Sequence, residues 1–201
     1  LVGQERLPLD WPVAGTTGYP FLVATNGLFV EPDGLATLRR TWARVTGVRQ
    51  SFEDMAYACK KLIMLTTLAS ELNVLAHAMN RLSERSWRTR DFTLNSCRKA
   101  LLEFVACLPV YRTYLTEAGI SDADRAAIDR ALRSARQRNP ATEHTIYDFL
   151  RDLLLPPAAQ PAPVDGPTGE DCLAFAMKLQ QYSGPVHAKG LEDTAFYRWT
   201  Q

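Results

Sequence analysis

Between Ser51 and Ser83 the apolar residues recur at helical spacing with no interruption: Met55, Ala58, Leu62, Leu65, Leu68, Leu72, Leu75, Ala76 and Met79. Read alone, this run predicts one helix roughly 45–50 Å long at about 1.5 Å per residue. Such a helix cannot bury its apolar stripe against itself, so partner helices must flank it along its length. Ser51 followed by Asp54 has capping-box spacing, which places carboxylates at the positive end of the helix.

The remaining sequence supplies partners. Leu35, Leu38, Trp42 and Val45 mark one face of a short helix ending near Gly47. A further helix is expected from about Asp91 to Ala118, with Leu94, Leu101, Leu102, Val105 and Leu108 inward. Pro109 should kink or interrupt it, because proline removes a donor and clashes with the preceding turn. Gly119 ends it, and Ser121 with Asp124 begins a helix to about Arg138. Thr142 to Leu155 forms the next helix, and about Glu170 to Tyr182 the last. Residues 156–169 (PPAAQPAPVDGPTG) read as a Pro-rich, extended linker. Gly184 to Lys189 looks like a short strand, and Gly190 to Trp199 like a helix or loop. Residues 1–35 do not read as helix, because prolines and glycines punctuate them at short intervals. The fold class expected is therefore mainly α. Residues 36–155 form a multi-helix domain, residues 1–35 an irregular segment, and residues 170–201 a last helix followed by a short strand.

Composition narrows function mostly by exclusion. The chain has 201 residues, of which 46% are hydrophobic and 22% charged, with a formal net charge of +1. That balance gives no basic field to recruit nucleic acid or an anionic membrane, so neither is expected as a partner. Cys59, Cys97, Cys107 and Cys172 contain no close pair and lie among apolar neighbours. They read as reduced, buried small hydrophobes, which fits a cytoplasmic protein. The chain opens on Leu-Val-Gly rather than Met, and is expected to be cut from something longer.

Candidates for chemistry are few. His77, His144 and His187 are widely separated, and no pair has metal-ligand spacing. No serine has the nucleophile-elbow context and no glycine-rich phosphate loop is present, so neither a metal nor a cofactor is expected. Glu192 and Asp193 follow Lys189 by three and four residues, within reach of it on a helix. The plain alternative is a solvated charge pair. Adjacent carboxylates on a helix point about 100° apart, which does not suit a glycosidic acid and nucleophile roughly 5 Å apart.

Three segments nevertheless resemble one enzyme family, maltooligosyl trehalose synthase of the α-amylase superfamily. They are Trp11-Pro-Val-Ala-Gly-Thr-Thr-Gly-Tyr19 continuing through Asn26–Val30, then Pro109-Val-Tyr-Arg-Thr-Tyr114 preceded by Arg90–Thr93, and Ser183-Gly-Pro-Val-His-Ala-Lys-Gly-Leu-Glu-Asp-Thr-Ala-Phe-Tyr-Arg198. The run Leu62–Leu82 is also similar. Two departures stand out: Pro20 where the family usually has Asp, and His187 where it usually has Met.

The resemblance implies a (β/α)8 barrel enzyme with a helical insertion, from which the flanking segments of this chain would derive. It implies that the reducing-end α-1,4 bond of a maltooligosaccharide becomes an α,α-1,1 bond by retaining, intramolecular transglucosylation. It places the family's nucleophile and acid/base upstream of Trp11 and the third carboxylate downstream of Gln201. No catalytic residue is then expected in this chain, which alone should be inactive. The substrate-binding residues it implies are Lys189, Tyr19, Trp11, Glu192, Asp193, Phe196 and Tyr197: aromatics to stack on sugar faces, charged groups to bond hydroxyls. Arg112 and Tyr114 are expected to brace the insertion. The partners implied are the maltooligosaccharide and the remainder of the barrel. Self-association of the isolated chain is a further expectation, and a non-catalytic helical interaction module is the alternative reading.

Overall fold

A computed structural model describes residues 11–16, 18–155 and 165–199. The chain divides into two compact units that meet in sequence between Gln50 and Ser51. All regular structure described is helical, and no strand occurs among the described residues.

In the first unit, α1 spans Tyr19–Gly27 and α2 spans Pro32–Thr46. Helix α1 corrects the expectation of an irregular segment over residues 1–35, whereas α2 is the short helix expected to end near Gly47. The prolines that read as breakers sit in the first turns, where no helical donor is required. Glu31 caps α2 by accepting from the Asp33 backbone at 2.9 Å, and Gly47 closes it in the left-handed region (φ +72°). Leu35, Leu38 and Val45 on α2 are exposed, and no residue of that helix is buried.

The second unit, Ser51–Trp199, holds the core. Its central helix is α5 (Leu94–Cys107), buried from Ala100 through Ala106. Around it pack α3 (Phe52–Leu65), α4 (Ala69–Ser83), α6 (Asp122–Arg138) and α7 (Thr145–Leu154). Helix α8 (Gly169–His187) packs on α4 and α7. Met64, Leu72, Met79, Leu101, Phe104, Ile128, Tyr147, Leu150 and Val186 are among the wholly enclosed side chains. Ser51 and Ser121 cap α3 and α6 as expected, each accepting from the backbone three residues on. The acids Asp54 and Asp124 instead accept from the cap hydroxyls, at 2.9 and 2.8 Å. The full reciprocal box occurs at Thr168 and Asp171, opening α8.

Three expectations are corrected here. The single helix from Ser51 to Ser83 is two helices, bent 84° at Thr66–Leu68. The Thr66 hydroxyl donates back to the Leu62 carbonyl at 2.7 Å, a bond that competes with the helical ladder. The Leu68 amide then closes a wider turn onto Ile63 at 2.9 Å. Secondly, the helix expected from about Asp91 to Ala118 is interrupted at Pro109 but does not resume beyond it: α5 ends at Cys107, and residues 108–119 form an irregular segment. Gln180 of α8 holds that segment, accepting from the Leu115 amide at 2.5 Å and the Thr113 hydroxyl at 3.2 Å. Thirdly, Gly184–Lys189 is not a strand. Helix α8 runs on through Pro185 to His187, then widens into a π-helix (Ala188–Ala195) and a last turn, α9 (Phe196–Arg198). Tyr182, Ser183, Val186, His187 and Gly190 are all buried, and their spacing is helical. Of the Pro-rich linker, residues 156–164 lie outside the described residues. Among the described residues, no single helix is long and apolar enough to cross a membrane.

Candidate functional site

The π-helix lies along α3 with almost no space between the backbones. A Cβ on Gly190 would come within 2.7 Å of Lys60 Cα, so only glycine fits at that crossing. Under the crossing sits a small apolar cluster, Ala56, Cys59 and Ala195, flanked by Phe52, Met55 and Leu191. The widened register is visible in one side-chain bond: the Thr194 hydroxyl donates to the carbonyl of Lys189, five residues back, at 2.7 Å.

Lys60 is the unusual residue of this contact. Ala56, Lys60 and Met64 share the inward stripe of α3, and Lys60 is only 5% exposed. Its ammonium donates to the Leu108 carbonyl at 2.9 Å, at the start of the irregular segment after α5. Burial pulls its pKa down to about 8, against a smaller opposing effect from Cys107. His187, also buried, lies against the Tyr111 ring with centroids 4.6 Å apart. Burial, and secondarily the Lys60 charge, pushes it down to about 3, so the imidazole is neutral at neutral pH. Lys60 and the Tyr111–His187 contact thus tie α3, the 108–114 segment and the α8–π-helix junction together.

On the outer face of the π-helix, Lys189 donates to Asp193 at 2.8 Å, with both side chains exposed. That bond raises the Lys189 pKa. Phe196 stacks on Phe52 (5.6 Å between centroids, 15° between planes), and Trp199 meets Phe52 edge-on at 5.3 Å. One face of Phe196 is thereby used in packing, while the residue stays 54% exposed; Tyr197 is 83% exposed. Arg198 reaches back to the Cys59 sulfur at 3.8 Å. Lys189, Glu192, Asp193, Phe196 and Tyr197 therefore occupy one contiguous helical stretch. Trp11, half exposed, belongs to the first unit, as does Tyr19, whose side chain lies outside what the structure describes. The Arg112 guanidinium stands 4.9 Å from the centre of the Tyr114 ring.

A second polar cluster pins the bundle. Glu103, nearly buried on α5, accepts from the Tyr57 hydroxyl and from Lys61 at 2.5 Å. Burial would pull Lys61 down, but its bonds to Glu103 and Tyr57 outweigh that and lift it. Arg138 of α6 lies 4.3 Å from the centre of the Tyr57 ring and bonds Asp54 at 2.6 Å. This network joins α3, α5 and α6 by charge-assisted bonds.

Neither Lys60 nor Gln180 stood out in the sequence reading. Lys60 had a signal, its four-residue spacing from Ala56 and Met64. Gln180 had none, because its partners are backbone groups 65 residues away. All four cysteines are free thiols, and burial pushes Cys97, Cys107 and Cys172 each up to about 11, so they are poor nucleophiles. Among the described residues, no group of three or more His, Cys, Asp or Glu side chains could hold a metal ion.

No protein-family model, curated protein or solved structure matches the chain.

Proposed function

We propose that this chain is part of a maltooligosyl trehalose synthase and that its π-helix face contributes sugar contacts to that enzyme's reducing-end subsites. The observation that carries this reading is the meeting of two segments that resemble the family. Tyr111 of Pro109–Tyr114 lies against His187 of Ser183–Arg198, although 76 residues separate them in sequence. Both are seated on α3 by Lys60 and Gly190. A junction of this kind holds its outer face, which carries the Lys189–Asp193 pair beside Phe196 and Tyr197. An exposed ammonium, a carboxylate and accessible aromatic rings match the hydroxyls and apolar faces of a pyranose.

On this reading the helical unit is the insertion of a (β/α)8 barrel, and the catalytic carboxylates belong to parts of the enzyme outside this chain. The chain binds and orients the released glucose but breaks no bond itself. The test is loss of reducing ends from maltohexaose, using the gene extended in both directions, with the 201-residue chain as control. Loss without free glucose in the extended protein alone supports the proposal. Release of glucose only, or no reaction, overturns it.

One observation favours a second reading, a helical interaction module. Phe21, Leu22, Val23, Leu28, Phe29 and Val30 in and after α1 are all exposed, more contiguous apolar surface than a chain without a partner usually carries. An extended gene lacking any barrel sequence would favour the module.

A further inference from the structure

Residues 11–30 contain no charged side chain. More than half of the large hydrophobic side chains exposed among the described residues fall between Trp11 and Val48. Helix α1 opens Phe21, Leu22 and Val23 in succession, and three consecutive positions point to different sides of a helix. A helix that is apolar on all sides is stable only when it is enclosed. Nor does the first unit bury any residue of α2. This surface is therefore half of an interface. Taken at roughly 60–100 Å² apiece, its open hydrophobic side chains amount to about 700–1,200 Å², which brackets the ~800 Å² that each partner covers in a standard stable dimer.

Helix α2 points to the other half. Leu35, Leu38, Trp42 and Val45 follow three-four-three spacing, the narrow seam by which one helix packs against another. A helix lying in a lipid interface has a broader apolar face and a strongly basic polar one. Residues 11–50 hold four arginines against Glu31 and Asp33, so an anionic bilayer would attract them weakly. The charges are instead ordered along the helix: Glu31 and Asp33 stand at its start, Arg44 in its last turn and Arg49 just beyond. Two α2 helices crossing a perpendicular two-fold axis run antiparallel. That sets the acidic start of each beside the basic end of the other, with their dipoles opposed. Arg40, on the far side from the seam, bonds back to the Ala36 carbonyl and the Thr37 hydroxyl and stays clear of the contact. We propose that this surface is an isologous interface with a second copy of this chain, the two α2 seams pairing antiparallel and α1 enclosed beside them. Such an interface depends on neither the barrel nor the sugar contacts, and a second copy is then the partner of the interaction-module reading.

The test is sedimentation equilibrium of the 201-residue chain across roughly 1–100 µM. Twice the chain mass should be reached within that range. Leu38→Glu places a carboxylate in the seam at a position that is 67% exposed in the single chain. It should lower the association constant at least tenfold with the helical circular dichroism unchanged. Asp33→Arg should weaken association about threefold or more, and adding Arg44→Asp should restore it, because the swapped charges again meet across the two-fold axis. A monomer throughout, or a dimer that Leu38→Glu leaves intact, overturns the interface. So does growth beyond two copies, since an isologous contact closes at two. Flotation of a monomer with vesicles of phosphatidylglycerol and phosphatidylcholine assigns the face to a bilayer and overturns it as well. If the protein from the extended gene is monomeric while the 201-residue chain is a dimer, the face belongs to the rest of the longer polypeptide. The interface then falls and the enzyme reading stands. A dimer of the extended protein that removes no reducing ends leaves the interface standing and overturns the enzyme reading.

Discussion

Gly190 and Lys60 show how a single contact sets the tolerance of a site. Gly190→Ala puts a methyl group 2.7 Å from Lys60 Cα, and it should destabilise the second unit by about 1–3 kcal/mol in urea unfolding. Gly184→Ala, one and a half turns earlier with open space around it, should instead stabilise by about 0.5–1 kcal/mol through helix propensity. The two titratable residues at the junction predict pH effects of the same sign from one physical cause, with stability rising as pH rises through each window. His187 is held down to about 3, below its unfolded value near 6.5, so the unfolded chain binds more protons between those limits. Stability is therefore lost as pH falls from about 6.5 towards 3. His187→Met should flatten that limb when midpoints are compared across the range. Lys60 is held at about 8 against 10.5, so its cost is full below pH 8 and fades as pH rises to 10.5. Relative to Lys60→Met, the natural chain should gain about 1–3 kcal/mol over that window. The comparison with Lys60→Met cancels the cysteines, whose raised values act in the opposite direction there.

At the scale of elements, the bundle is shaped by interruptions as much as by helices. The bend after Leu65 and the stop at Cys107 create two irregular places, the turn at Thr66–Leu68 and the segment carrying Tyr111. The second is held by Gln180 with three hydrogen bonds, two to Leu115 and one to Thr113. Gln180→Leu leaves the Leu115 amide and carbonyl buried without those partners and should cost about 2–3 kcal/mol. Hydrogen exchange at Leu115 should quicken more than at Leu101, within α5, which separates local release from global loss of stability. Pro-rich punctuation misled the reading of 19–27 and 184–189 for one reason. Proline at a helix start is compatible with helix, and at 185 the α-helix runs on through it to His187 before the π-helix begins.

For the whole molecule, the described apolar enclosure is concentrated in the second unit, while α2 of the first buries nothing. Stability should follow this division. Limited proteolysis of the intact chain should leave a resistant fragment beginning near Ser51, and amides of α2 should exchange well ahead of those of α5. A resistant species cut within α5 or α6 would contradict that expectation. The same division bears on function, since Lys189, Asp193, Phe196 and Tyr197 lie in the unit with its own core, and Trp11 and Tyr19 in the other.

The sequence by itself determined the helical class, the starts of α3, α6 and α8, the stop imposed by Pro109 and the burial of Cys59, Cys97 and Cys172, with Cys107 only partly buried. All of these depend on interactions within a few residues: caps, periodicity and the missing donor of proline. The nearness of Lys189 to Asp193 was legible for the same reason. Tertiary structure alone decided where the long apolar run bends, that α8 continues as a π-helix, and that Lys60 is buried beneath Gly190. It also brought Tyr111 to His187 and Gln180 to Leu115. The last three outcomes depend on partners 60 or more residues away, and local spacing carries no information about which distant backbone group a buried side chain will meet.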